Sequence, residues 1–134
     1  MVNELEEAAI WDAAPATPGR ARSLVEGLLR RCGLTELVPA ATLLTSEVVT
    51  NAVTHVGGTI GVRVIVRPPA VRVEVEDTSQ QPPIPSGASQ AATGGRGLHL
   101  VEAFASHWGT AREAQGKVVW FELAADEGRQ ASNG

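Results

Sequence analysis

The chain has 134 residues, 43% of them hydrophobic, and a formal net charge of -4 at pH 7. This length suits one compact domain, because two domains of half the size would each have a marginal core. The acidic balance and the scattered arginines exclude a typical nucleic-acid surface, which needs clustered basic residues, and the single cysteine excludes an internal disulfide.

The hydropathy pattern does not predict a membrane association. Residues 1–11 contain three glutamates instead of the basic start and apolar run of a signal peptide. No stretch approaches the roughly 18 apolar residues of a membrane span. We therefore expect a cytoplasmic protein whose partners are proteins or small molecules, with no nucleic acid and no membrane among them.

Two amphipathic helices are predicted in the first half of the chain. Thr17 and Pro18 are typical of a helix start, with Thr17 as the N-cap and proline at the first helical position. This helix should end near Cys32-Gly33, and a second helix is predicted from about residue 38 to about residue 55. The apolar stripe of the second helix comprises Leu44, Val48 and Ala52.

The central segment predicts a β-hairpin followed by a long loop. Residues 60–67 and 71–77 alternate their side chains around Pro68-Pro69, which is the pattern of two strands with one face on the core. Residues 78–95 are mostly small or polar. A connection of this length is typically a lid, a binding loop or a disordered segment.

A third helix at residues 97–105 and two strands at 106–113 and 117–124 complete the predicted elements. Hairpins in place of strand-helix-strand alternation predict a mainly antiparallel mixed sheet with helices on one face, an α+β two-layer sandwich. We divide the chain into an N-terminal extension (residues 1–16), one domain (17–125) and a polar tail (126–134) that we expect to be disordered.

Three polar residues follow one another at helical spacing on the second predicted helix. Glu47, Asn51 and His55 lie four residues apart, so their side chains share one face. That face neighbours the apolar stripe, where a buried polar group without a partner costs about 1 to 3 kcal/mol. The pattern indicates either a polar cavity or a solvent-facing side of the helix that ends in a capping histidine.

Asp77 stands at the end of the second predicted strand. An aspartate at such a position is often a turn residue. It is also able to accept a hydrogen bond from the exocyclic amine of adenine, because one polar anchor is enough to orient a base in an apolar pocket. Position alone leaves both interpretations open.

A glycine-rich turn, Gly94-Gly95-Arg96-Gly97, leads directly into the third predicted helix. Its free backbone amides and the helix dipole favour an anion such as phosphate, although a flexible hinge has the same composition. A Walker phosphate loop is excluded, because it requires Gly-Lys-Ser/Thr and the only lysine of the chain, Lys117, is followed by valine.

Without a lysine in the turn, a magnesium ion is the expected neutraliser of phosphate charge. Magnesium usually takes one or two protein oxygens and completes its shell with water and phosphate. Asn51 is able to supply an amide oxygen. Glu47, one turn earlier, is placed to position or deprotonate a water or hydroxyl nucleophile.

Three segments resemble, in order, the asparagine box and the two glycine boxes of GHKL-type ATPases. They are TSEVVTNAVTH at residues 45–55, VEDTS at 75–79 and GGRGLHLV at 94–101. More narrowly, the chain resembles, over roughly residues 17–123, the short anti-sigma-factor serine/threonine kinases and related ATP-binding regulators of Gram-positive bacteria, including the small actinobacterial ones. The resemblance implies a Bergerat-type ATP-binding fold with ATP and Mg²⁺ as cofactors.

The same resemblance implies roles for individual residues. Glu47 would be the catalytic base, Asn51 the magnesium ligand and Asp77 the adenine-binding carboxylate. Gly95 and Gly97 would form the phosphate-binding turn. The other positions implied to contact the nucleotide are His55, Ser79, Gly94, Arg96 and Leu98.

The function implied by this resemblance is that of an anti-sigma factor and protein kinase in a partner-switching circuit. Such a protein forms a homodimer, binds a sigma factor and phosphorylates an anti-sigma factor antagonist. Ser79 stands where the wider superfamily has glycine. Two alternatives therefore stay open: a non-catalytic module whose nucleotide sets its affinity for a protein partner, and an interaction protein that binds no nucleotide.

Overall fold

Five strands and three α-helices make up the described part of the chain. The structure is a computed structural model that describes residues 4–77, 95–113 and 116–125. A short 3-10 turn at Thr35–Leu37 joins the first two helices. The main elements are β1 (Leu5–Asp12), α1 (Thr17–Arg31), α2 (Val38–His55), β2 (Thr59–Arg67), β3 (Ala70–Asp77), α3 (Gly95–Phe104), β4 (His107–Glu113) and β5 (Gly116–Ala124).

The strands form one sheet in the order β1-β2-β3-β5-β4, with every neighbouring pair antiparallel. Alternate side chains of the central strands are buried together with the inner faces of the helices in one core. The predicted α+β two-layer sandwich, with helices on one face of an antiparallel sheet, is therefore confirmed. Across the described ranges, no helix is both long enough and apolar enough to cross a bilayer. The largest side chains of the core include Phe121, Leu28, Leu29, Leu44 and Ile60.

Most of the predicted elements are present with small shifts of their ends. Helix α2 and the β2-β3 hairpin agree with the prediction to within a residue or so, and α3 begins at Gly95, two residues earlier than predicted. The predicted loop, apart from Gly95, and the predicted disordered tail at 126–134 lie outside the described residues.

Strand β1 is an element that the sequence did not predict. It pairs with β2 along its full length and forms one edge of the sheet. Its half-buried side chains alternate with exposed ones and are those of Glu7, Ala9 and Trp11. Glutamate and alanine are poor strand formers, so pairing with β2, and not local propensity, explains the strand. The division of the chain at residue 16 stays a prediction.

Thr17 does not act as the predicted N-cap. Ala16 occupies that position without a side-chain cap, and Pro18 lies in the first turn of α1. The Thr17 hydroxyl donates instead to the Asp12 carbonyl oxygen at 2.6 Å and accepts a hydrogen bond from the Ala14 amide at 3.0 Å. Because Thr17 is buried, these bonds join the end of β1 to α1 inside the protein.

Replacing Thr17 with valine should destabilise the fold. Valine has a similar shape but leaves two backbone groups without this partner, and a buried group without a partner costs about 1 to 3 kcal/mol. Urea unfolding followed by circular dichroism should show a lower midpoint with an unchanged m value. Thr54→Val, at an exposed position of α2, is the matched control, and an equal loss in both variants would contradict this role.

Candidate functional site

The carboxyl-terminal end of α2 and the end of β3 lie at the same end of the sheet. Helix α2 ends at His55 and β2 starts at Thr59, after a turn in which Gly57 and Gly58 adopt φ values of 77° and 73°. Glycine tolerates this left-handed conformation, which allows the chain to reverse over so few residues. Because Ile60 of β2 is paired with Asp77 of β3, Asp77 lies beside the end of α2.

Asp77 is a buried carboxylate on the helix-covered face of the sheet. It is 6% exposed and is the last residue of β3. It shares the inner face with the buried Val73 and Val75, because side chains alternate along a strand. Asp77 takes part in an interaction within the chain. A buried carboxylate at an apolar strand end has the surroundings expected of an anchor for a nucleobase.

The three polar residues that share one face of α2 differ in their exposure. Glu47 and Asn51 are half-buried, whereas His55 is exposed in the last turn. An imidazole at that place is close to the negative end of the helix dipole. The cavity interpretation therefore suits Glu47 and Asn51, and the solvent-facing interpretation suits His55.

Helix α3 directs its amino terminus toward the same end of the sheet. After Phe104 the chain enters β4, which begins with His107 opposite Glu122, far from Asp77. Helix α3 packs against α2 and β4 and buries Val101 in the core. Its ten residues span about 15 Å, which is close to the length of sheet between Glu122 and Lys117, the partner of Asp77. From this length and the packing on α2 we infer that the amides of its first turn lie at the end of the sheet that also carries Asp77.

The predicted phosphate-binding residues fall partly within this turn. Gly95, Arg96, Gly97 and Leu98 form the first turn of α3, where the backbone amides have no partner within the helix. Such amides, together with the helix dipole, form a binding place for anions. The predicted contacts of Ser79 and Gly94 lie outside the described residues.

Two basic residues beside Asp77 are additional candidates that the sequence did not single out. Lys117 of β5 is the direct partner of Asp77, and Arg112 of β4 is the partner of Lys117. Side chains of directly opposed residues point to the same face of a sheet. Neither basic side chain forms an ion pair with another described residue. The sequence alone could not reveal this row, because it follows from the register of three strands.

The protein oxygen atoms at this site are too few to hold a magnesium ion without further oxygens from a bound nucleotide. In the described ranges no group of three His, Cys, Asp or Glu side chains is arranged to hold a metal. The oxygen donors on α2 are the Asn51 amide and the Glu47 carboxylate, both half-buried. Magnesium accepts such hard oxygen donors and completes its shell with phosphate and water, so this set suits an ion brought in with a nucleotide.

The comparisons with known proteins identify the family of the chain. A family model described as a histidine kinase-like ATPase domain matches residues 11–123. The chain belongs to this family. The match spans all three helices and reaches from the end of β1 into β5, so the GHKL-type resemblance is confirmed at the level of the ATPase family.

A solved structure shows the same fold. The histidine kinase domain from Erythrobacter litoralis EL346 blue-light activated histidine kinase aligns with a TM-score of 0.56 and 24% sequence identity. The alignment covers 86% of this chain and 62% of that domain, so this chain spans less than two thirds of the matched domain. Comparison with curated proteins gives no significant match.

Proposed function

We propose that this histidine kinase-like ATPase domain is an anti-sigma factor and an ATP-dependent protein serine/threonine kinase. In this proposal it acts as a homodimer that binds a sigma factor and phosphorylates an anti-sigma factor antagonist in a partner-switching circuit. The observation that supports a catalytic role most directly is Glu47, a half-buried carboxylate one helical turn from Asn51. A module that only bound nucleotide would not need this carboxylate.

The proposed ATP site uses three parts of the fold at one end of the sheet. Asp77 accepts a hydrogen bond from the adenine amine, and the first-turn amides of α3 donate to the phosphates. Asn51 would hold the magnesium ion through its amide oxygen. When bound, the ion offsets phosphate charge and orients the terminal phosphate.

Glu47 is proposed to act on the hydroxyl group of the antagonist. The bond from the hydroxyl oxygen to the terminal phosphorus forms while the bond from that phosphorus to the bridging oxygen of ATP breaks. The hydroxyl proton passes to the Glu47 carboxylate, and ADP leaves with the negative charge of the broken bond. General-base assistance of this kind contributes about 10²- to 10⁴-fold to a rate.

Transfer of labelled phosphate tests this proposal. Purified protein is incubated with γ-labelled ATP, magnesium and candidate antagonist proteins of the same organism, and the labelled residue is identified by mass spectrometry. Label on a serine or threonine of one antagonist, with ADP formed in equal amount, is the expected result. ATP binding without transfer to any antagonist would favour the non-catalytic, nucleotide-dependent binding module instead.

Replacing Lys117 with glutamine should weaken ATP binding about three- to fivefold. One exposed charge contributes up to about 1 kcal/mol to the free energy of binding. The difference from the unaltered protein should shrink as salt is added, because the interaction is screened. Calorimetric titration at low and high salt measures both effects. Arg63→Gln is the matched control, because Arg63 lies on the opposite face of the sheet; unchanged affinity of the Lys117 variant at low salt would remove Lys117 from the site.

A further inference from the structure

The face of the sheet that carries no helix contains a depression of about 410 Å³. Side chains on this face alternate with those of the core, and several of them are small. The small residues Gly61, Ala8 and Ala111 form the floor of the depression. The larger side chains of Ile10 and Trp120 project from the sheet, and Ile10 is 73% exposed.

Trp120 is held flat beside the depression by two neighbours. The guanidinium of Arg72 lies 4.0 Å from the centre of the Trp120 ring. On the adjacent strand, a Cβ atom added to Gly109 would lie only 2.9 Å from the indole. Gly109 therefore leaves the space that the ring occupies, and the ring forms a fixed apolar wall.

The arginines of this face are already paired with carboxylates. Arg72 contacts Glu74 at 2.8 Å and Glu122 at 2.9 Å, and Arg63 contacts Glu6 at 3.4 Å. Partial burial acts to lower the pKa of Arg72, but hydrogen bonds and charge interactions with the two glutamates outweigh it and raise the pKa. The Arg72 guanidinium therefore stays charged and paired with Glu74 and Glu122.

Glu76 differs from the other carboxylates of the depression. It is half-buried between Gly61 and Val118, its partners on the neighbouring strands. Within the described residues its side chain forms no ion pair and no hydrogen bond. A partly desolvated carboxylate beside apolar side chains is favourable only when a cation or a donor approaches it.

The charge of this face points to a basic occupant. Among the charged side chains that line the depression or pair with its arginines, four carboxylates, those of Glu6, Glu74, Glu76 and Glu122, stand against the guanidinium groups of Arg63 and Arg72, which leaves an excess of two negative charges. An arginine side chain matches both parts of the depression. Its methylene stem suits Ile10 and Val118, and its planar head suits a carboxylate that accepts two hydrogen bonds.

We propose that the helix-free face of the sheet is a docking surface for an arginine-bearing segment of a protein partner, with the guanidinium paired to Glu76. This surface lies on the opposite face of the sheet from Asp77 and is independent of nucleotide binding. Occupation by a second copy of this chain is the alternative that the test separates.

Fluorescence polarisation with the full chain tests the proposal. The probe is a fluorescein-labelled hexapeptide of alternating alanine and arginine, and the same peptide with glutamate in place of arginine is the negative probe. The arginine peptide should bind. In NMR spectra of the protein, it should also shift the backbone amide resonances of Ile10, Gly61, Glu76 and Val118. Glu76→Gln should weaken its binding about tenfold, the loss expected for one charge-assisted pair.

Two further variants make the result decisive. Glu26→Gln removes the same charge from α1, where Glu26 pairs with Arg30, and should leave binding within about twofold, since exposed pairs contribute little. Ile10→Arg, at a highly exposed rim position, should also weaken binding by repulsion. Equal binding by Glu76→Gln and Glu26→Gln, or resonance shifts on the helical layer, would overturn the proposal. Concentration-dependent dimerisation that shifts the same four resonances without peptide would also overturn it.

Discussion

Replacing Asn51 with alanine is expected to abolish magnesium-dependent ATP binding at micromolar protein concentration. Asn51 is half-buried on α2, near the end of the sheet that carries Asp77. Loss of even an indirect metal contact typically costs 10- to 100-fold in metal affinity, so we expect a direct ligand to cost about a hundredfold or more. Calorimetric titration with ATP, first in magnesium and then in EDTA, measures the effect.

The control for this experiment is Thr50→Ala, which shortens an exposed side chain on the same helix. It should bind ATP like the unaltered protein. If Asn51→Ala retained full affinity in magnesium, or if EDTA made no difference to the unaltered protein, the proposed role of Asn51 would be wrong. Absence of ATP binding by the unaltered protein would favour the interaction protein without nucleotide.

Replacing Glu47 with glutamine should separate catalysis from binding. Glutamine keeps the size and polarity of the side chain but accepts a proton far less readily, so phosphoryl transfer should fall about 10²- to 10⁴-fold. ATP affinity should change by no more than about twofold, because the proposed nucleotide contacts lie on Asn51, Asp77 and α3. Single-turnover transfer at saturating ATP measures the rate, and calorimetry measures the affinity.

Glu36→Gln is the matched control for the chemistry. Glu36 lies exposed in the 3-10 turn before α2, so the same change there should leave the transfer rate unaltered. Full transfer by the Glu47 variant would exclude Glu47 as the base. A loss of ATP affinity as large as the loss of rate would assign Glu47 to binding instead.

Several elements were predictable because their local pattern and their tertiary environment agree. In α2 the apolar residues recur at helical spacing and are buried where the pattern requires it, as Leu44 and Val48 show. In β3 the alternation of valines with charged residues matches one covered and one open face of a sheet. The position of the turn between β2 and β3, at Pro68-Pro69, was predictable as well.

Other features could not be predicted, because they depend on distant parts of the chain. Strand β1 forms where local composition does not favour a strand, since β2 provides the hydrogen-bonding partners. Thr17 had the residue type of an N-cap, yet its hydroxyl bonds to the chain between β1 and α1. In the sequence, Lys117 served only to exclude a Walker loop, because valine follows it. The strand register is what places it opposite Asp77.

The sequence by itself determined the fold class and the candidate chemistry, because hydrophobic period, helix and turn signals and the three motifs are local properties of the chain. It identified Glu47, Asn51 and Asp77, and the resemblance assigned them to one ATP site, but it did not show how they are placed in space. Only the tertiary structure decided that α2, β3 and the first turn of α3 meet at one end of the sheet, and that Glu76 and Asp77 face opposite sides of it. The physical reason is that strand order and register arise from pairing between segments far apart in sequence, and a shift of one residue would exchange the two faces.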